Sequence, residues 1–127
     1  MHQKKSFEDL KVYNDAIDLI VQIYALLQEP QFKKEFGLSD QLRRAALSIS
    51  NNIAEGFERE TDKELIRYLY FSKGSAGEVR NILNVIKAID FINEDEYQGL
   101  RDKVMDISKQ LSNFIKYVVK RDLEKGK

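Results

Sequence analysis

A single proline, Pro30, interrupts 127 residues. Proline breaks a helix wherever it falls inside one, so this near absence leaves long, uninterrupted helices open to the chain. The apolar residues have the spacing such helices need. Ser6 reads as a cap, with Asp9 at the third helical position. Behind it Leu10, Ile17, Ile20, Tyr24 and Leu27 recur at threes, fours and a seven, with Tyr13 beside the stripe. This predicts a first helix over about residues 7–28, ending before Pro30. Glu29 to Gly37 reads as a connection in which Phe32 and Phe36 fold back over the core.

Ser39 is the expected cap of a second helix, 39–57, with Leu42, Ala45 or Ala46, Ile49 and Ile53 facing inward. Thr61-Asp62-Lys63-Glu64 has the form of a capping box, in which Thr61 accepts from the third helical amide and Glu64 reaches back to the cap. It opens a third helix over about 62–90. Asn93 with Glu96 repeats the device for a fourth, 94–122, whose Tyr97, Leu100, Val104, Ile107, Leu111, Phe114 and Val118 alternate strictly between threes and fours. Short links make neighbouring helices antiparallel, so the expected fold is all-α, an up-down-up-down antiparallel four-helix bundle forming one domain over residues 1–127. Only Glu124 to Lys127 read as frayed.

Charge and composition remove several classes of function. Twenty-one basic and twenty-one acidic residues give a formal net charge of zero, so binding to nucleic acid or an anionic membrane would need a local patch. The absence of cysteine excludes disulfides, thiolate metal sites and thiol nucleophiles, and fits a reducing, cytoplasmic setting. No apolar run approaches the roughly 20 residues of a membrane span, and the first residues lead into no signal-peptide core. A di-iron bundle would need Glu-x-x-His pairs on two helices, yet the one histidine is His2. The Gly74-Ser75-Ala76-Gly77 run lacks phosphate-loop spacing and sits inside a helix. No catalytic residue, metal, cofactor or small-molecule substrate is therefore expected.

The third helix carries two apolar stripes. Leu65, Leu69, Ser72, Ala76, Val79, Leu83 and Ile86 form the first; Tyr68, Phe71, Ser75, Ile82, Val85 and Ile89 form the second, about one position round. A helix in a small bundle needs one stripe of roughly 100°. The second is either a broad core face or a surface for another subunit, and Tyr68, Phe71, Ile82, Val85 and Ile89 are the expected interface residues. The small residues from Gly74 to Gly77 permit close approach of a neighbouring backbone.

The second helix carries a polar ribbon of Arg44, Ser48, Asn52, Glu55 and Arg59, at spacings of four, four, three and four. Asn52 and Ser48 are mediocre inside a helix because their side chains compete for backbone hydrogen bonds. The ribbon is either a solvated face or an interhelical hydrogen-bond network. Glu55 and Glu78 could approach across the second and third helices, but pairing of each with Arg44 or Arg59 is the simpler expectation.

The run from Gln41 to Arg59, above all Asn52-Ile53-Ala54-Glu55-Gly56 with Arg59, resembles the central signature of a bacterial four-helix-bundle family encoded in intervening sequences of 23S ribosomal RNA genes. Phe7 to Leu10, Val12-Tyr13 and Ala16, then Glu35-Phe36-Gly37-Leu38, and Gly74-Ser75 with Glu78 agree with it, so the resemblance spans about Phe7 to Val119. Ser50 stands where proline is frequent in the family, and Tyr13 where tryptophan is frequent. The resemblance implies an up-down bundle assembling as a ring-like homo-oligomer, typically a pentamer. It implies an association with ribosomal RNA only through gene setting.

Two functional readings follow. One is a non-enzymatic assembly or adaptor protein that binds itself and a protein partner. The other is binding of ribosomal RNA or another nucleic acid through basic patches repeated around the ring: Lys116, Lys120 and Arg121 beside Lys4 and Lys5 at one pole, or Lys33, Lys34, Arg43 and Arg44 at the other. Balanced charge, and the acidic residues Glu55, Glu58, Glu60, Asp62 and Glu64 near the first pole, favour the adaptor.

Overall fold

In the computed structural model, which describes residues 6–126, the Ser6 cap forms on a shorter element than the spacing predicts. Ser6 Oγ accepts from the Glu8 amide and Asp9 accepts from the Ser6 amide, but they close only a three-residue 3₁₀ turn, Phe7–Asp9. Leu10 is extended, and Asn14 ties the break together by donating to the Glu8 and Leu10 carbonyls. Helix α1 is therefore Lys11–Leu26.

Its buried residues are Val12, Ala16, Leu19, Ile20, Ile23 and Leu26; of the expected stripe Ile20 and Leu27 are buried and Leu10 packs against the core, while Ile17 and Tyr24 are exposed. The connection contains a second 3₁₀ turn, Pro30–Phe32, and Phe32 enters the core with its ring edge-on to Phe91 at 5.5 Å.

Helix α2 spans Phe36–Phe57 and starts before Ser39. Ser39 is not a cap. It lies one turn inside the helix, buried, with its amide bonded to the Glu35 carbonyl. Continuing α2's phase backwards carries Phe36 away from the core, and it is 79% exposed rather than folded inward. The expected inner residues Leu42, Ala45, Ala46, Ile49 and Ile53 are all buried.

Helix α3 spans Asp62–Ala88. Thr61 accepts from the Glu64 amide at 3.2 Å as expected, while the Glu64 carboxylate turns toward Arg67 at 3.7 Å instead of back to the cap. All seven residues of the first stripe are buried. The helix ends on a Schellman arrangement: Phe91 N donates to Ile86 O and Asp90 N to Lys87 O, with Asp90 at φ 61°. Asn93 and Glu96 then form the complete capping box of α4, Glu94–Lys125, which runs three residues beyond the expected end.

Each helix packs on the next in sequence and α4 closes back on α1, so the four stand at the corners of a square. Contacts between Tyr24 and Arg43, Ser72 and Ile49, Tyr97 and Asn84, and Gln110 and Asp15 run antiparallel around it. One apolar core fills the square. No helix among the described residues is long and apolar enough to cross a membrane.

Candidate functional site

The α2–α3 seam brings together most of the polar ribbon. Asn52 Nδ2 donates to the Ser48 carbonyl at 2.8 Å and to Ser48 Oγ at 3.0 Å, and Ser75 Oγ donates to Ser48 Oγ at 3.0 Å. Deeper in the seam, Ser72 Oγ, fully buried, donates to the Ile49 carbonyl at 2.8 Å. Ser48, Asn52 and Ser75 are half-buried, so this part of the ribbon is an interhelical network rather than a solvated face. Ser72 was legible in the sequence only as a polar residue inside the apolar stripe.

Gly56 explains its own place in the motif. A Cβ there would stand 2.7 Å from Tyr68 Cβ and 3.3 Å from Leu65 Cδ1, so α2 and α3 touch at a spacing only glycine permits. One turn on, Arg59 donates to Glu55 Oε1 and to the Tyr68 hydroxyl, each at 2.7 Å, and its guanidinium lies 4.9 Å from the Tyr68 ring centre. Tyr68 first, and Glu55 second, favour the charged guanidinium and push it above its ordinary range. Glu55 thus pairs with Arg59, as expected. Arg44 pairs with Asp40 at 2.9 Å on the exposed side, and Glu78 has no ion-pair partner among the described residues.

Ser48 Oγ accepts from Ser75 and from the Asn52 amide, Ser72 Oγ donates to the backbone, and among the described residues no carboxylate is hydrogen-bonded to Ser48 or Ser75. Among the described residues no group of acidic or histidine side chains is placed to hold a metal. A groove of about 610 Å³ lies on the α1–α4 face, away from the seam, lined by Glu29, Asp95, Glu96 and Lys103 among others.

The second stripe of α3 divides. Ile82 is 4% exposed and belongs to the core of its own chain; as an interface residue it is corrected. Tyr68 is half-buried against Arg59. Phe71, Val85 and Ile89 are 46%, 42% and 44% exposed and form an outward apolar edge.

The basic poles are weaker than expected. Lys4 and Lys5 lie outside the described residues. Arg121 is not a free cation. It donates to both oxygens of the buried Asp62 at 2.7 and 3.1 Å, and Lys125 joins the same carboxylate at 3.1 Å. Asp62 opens α3 and Arg121 lies near the end of α4, so this cluster ties the two helix termini together, and Asp62 offsets this pole as the acidic run beside it predicts. Lys116 and Lys120 are exposed on α4, and Lys33 and Lys34 are exposed beside the second 3₁₀ turn. Arg43 stacks 5.7 Å from the centre of the Tyr24 ring.

Comparison with known proteins agrees with this geometry. No curated protein matches the chain. Its fold is similar to the 1.70 Å crystal structure of a protein of unknown function from the S23 ribosomal protein family of Bacteroides thetaiotaomicron VPI-5482, with a TM-score of 0.77 and 27% identity, over 83% of this chain and 98% of that one. The model of the 23S rRNA-intervening sequence protein family matches residues 8–113, which include the whole α2–α3 seam. The chain belongs to the 23S rRNA-intervening sequence protein family.

Proposed function

We propose that the protein is a non-enzymatic assembly module, a homo-oligomer of four-helix bundles, ring-like and pentameric, that acts as an adaptor for a protein partner in the cytoplasm. The observation that carries this reading is the outward edge of α3. Phe71, Val85 and Ile89 remain exposed although the chain has a complete core without them. Exposed apolar residues recurring along one helix edge fit an association surface. The α2–α3 network supports the same reading, since it holds α3 rigidly and presents that edge at a fixed angle.

A second reading, contact with RNA, is supported by one observation. From Lys109 to Arg121, α4 contains no acidic residue, and Lys109, Lys116 and Lys120 are exposed along it. A ring would repeat that stripe on every subunit.

Titrating purified protein into 23S ribosomal RNA fragments at low salt separates the two. The adaptor reading expects no shift in RNA mobility while the oligomer stays intact. A shift that weakens steeply with added salt would replace it with the RNA reading.

A further inference from the structure

We infer that the outer edge of α3 is covered by the α1–α2 face of a second copy, in a head-to-tail contact that turns α2 toward the axis of the assembly and sets Arg43 of one copy against Glu78 of the next. The inference rests on the homo-oligomer reading and names its two surfaces.

The first observation is a second apolar patch that the chain leaves uncovered. Ile17, Val21 and Tyr24 follow each other at spacings of four and three along α1, and Leu47 stands beside them on α2; all four are exposed, Val21 at 62%. The chain therefore has two separate apolar surfaces, one on the α1–α2 face and one on the α2–α3 face. A head-to-tail contact uses two different surfaces, and one copy of this chain supplies both.

The second observation is that the Phe71–Glu78 stretch of the α3 edge matches the α1–α2 patch in height. Cyclic symmetry rotates a subunit without moving it along the axis, so in bundles standing parallel to that axis residues meet at their own level. The levels follow from contacts within the chain: Tyr24 lies beside Arg43, Ser48 beside Ser75, Ile49 beside Ser72, and Gly56 against Tyr68. Counting along the antiparallel helices puts Ile17 level with Phe71. It puts Val21 and Leu47 level with Gly74 and Ser75, and Arg43 level with Glu78. Apolar thus meets apolar, bulky meets small, and cation meets anion.

Two residues with no role inside the chain acquire one. Glu78 is exposed and has no ion-pair partner among the described residues, and opposite charges across an interface fix its register. Gly74 stands in the middle of α3, where glycine costs about 1 kcal/mol relative to alanine. A Cβ added there would meet nothing within 4 Å in its own chain, so the space beside it is open to a second copy.

The third argument is closure. Adjacent faces of a square bundle look outward about 90° apart, and a contact between such faces turns each copy so that the set closes after about four or five. Opposite faces would build an open filament. Because the two faces share α2, its outer ridge, with Asp40, Arg44, Asn51 and Glu55, looks into the lumen, and α4 lies outside.

The test is a charge exchange read by analytical ultracentrifugation, with helicity recorded alongside. Arg43→Glu and Glu78→Arg should each raise the concentration at which half the protein dissociates by about tenfold or more, and the double exchange should return it to within about threefold of wild type. Gly74→Leu should dissociate the assembly while the helicity of the folded chain holds, because a Cβ at this position meets nothing within 4 Å in its own chain. A multimeric wild type with indifferent single variants would overturn the assigned faces, and so would single defects that the double exchange fails to repair. A monomeric wild type would instead remove the homo-oligomer reading on which the inference rests.

Discussion

Gly56 faces Tyr68 so closely that a methyl group on the glycine would stand 2.7 Å from the tyrosine's Cβ. Neither atom can rotate away, because both are fixed to helix backbones. Gly56→Ala should therefore destabilise the fold by about 1–3 kcal/mol, in spite of the roughly 1 kcal/mol that alanine gains in helix propensity. Gly77→Ala, where a Cβ would meet nothing within 4 Å, supplies the control and should be neutral or stabilising. Denaturant unfolding of the two variants checks the contrast.

Asp62 should make stability depend on acid. The hydrogen bonds from Arg121 hold its carboxyl below the ordinary 3.8, and Lys125 adds to them. A lowered folded value means the contribution is complete above the ordinary carboxylate range and is lost as pH falls through the folded value. The carboxylate is buried but Arg121 is 38% exposed, so water screens the pair and about 1–2 kcal/mol is expected from it. Asp62→Asn should lower the unfolding temperature at pH 7 by about 3–8 °C. The gap from wild type should close as the pH falls below the ordinary carboxylate range and the folded carboxyl takes up its proton.

Asp90 sits at φ 61° in the position of a helix end where glycine is usual. Its side chain pays the left-handed penalty, offset in part by the greater freedom glycine has in the unfolded chain. Asp90→Gly should stabilise the protein by about 0.5–1 kcal/mol, measured as a shifted urea midpoint with an unchanged slope.

Ile82 and Val85 lie three residues apart on one stripe and should respond differently to the same change. Ile82→Glu buries a charge in the core and should cost about 4 kcal/mol or more, abolishing the helical signal or collapsing the unfolding temperature. Val85→Glu places the charge on an exposed edge and should leave a folded chain that no longer assembles. Circular dichroism with light scattering separates the outcomes.

The helices were legible because burial repeats along them. Every residue of the inner stripes read from spacing in α2 and α3 is buried, from Leu42 to Ile53 and from Leu65 to Ile86, and Ser50 and Ile82 join them. Where a helix carries apolar residues on adjoining ribbons, spacing does not choose between them. That is why the inward face of α1 falls on Val12, Ala16 and Ile23 rather than on Ile17 and Tyr24, and why Ile82 lies inside while Val85 and Ile89 lie outside.

Caps were legible where side chain and backbone agree, as at Asn93, and misleading at Ser39, whose hydroxyl lies inside the helix. The contacts that define the seam, Ser72 to Ile49 and Gly56 to Tyr68, depend on how two helices are placed, which local spacing does not encode.

The most direct measurement of the central claim is the mass of the purified protein in solution across a wide concentration range. The chain weighs 14.8 kDa, and the account predicts a particle of about five times that, with helicity unchanged on dilution. A particle of 14.8 kDa at high concentration, with Phe71, Val85 and Ile89 open to solvent, would contradict it.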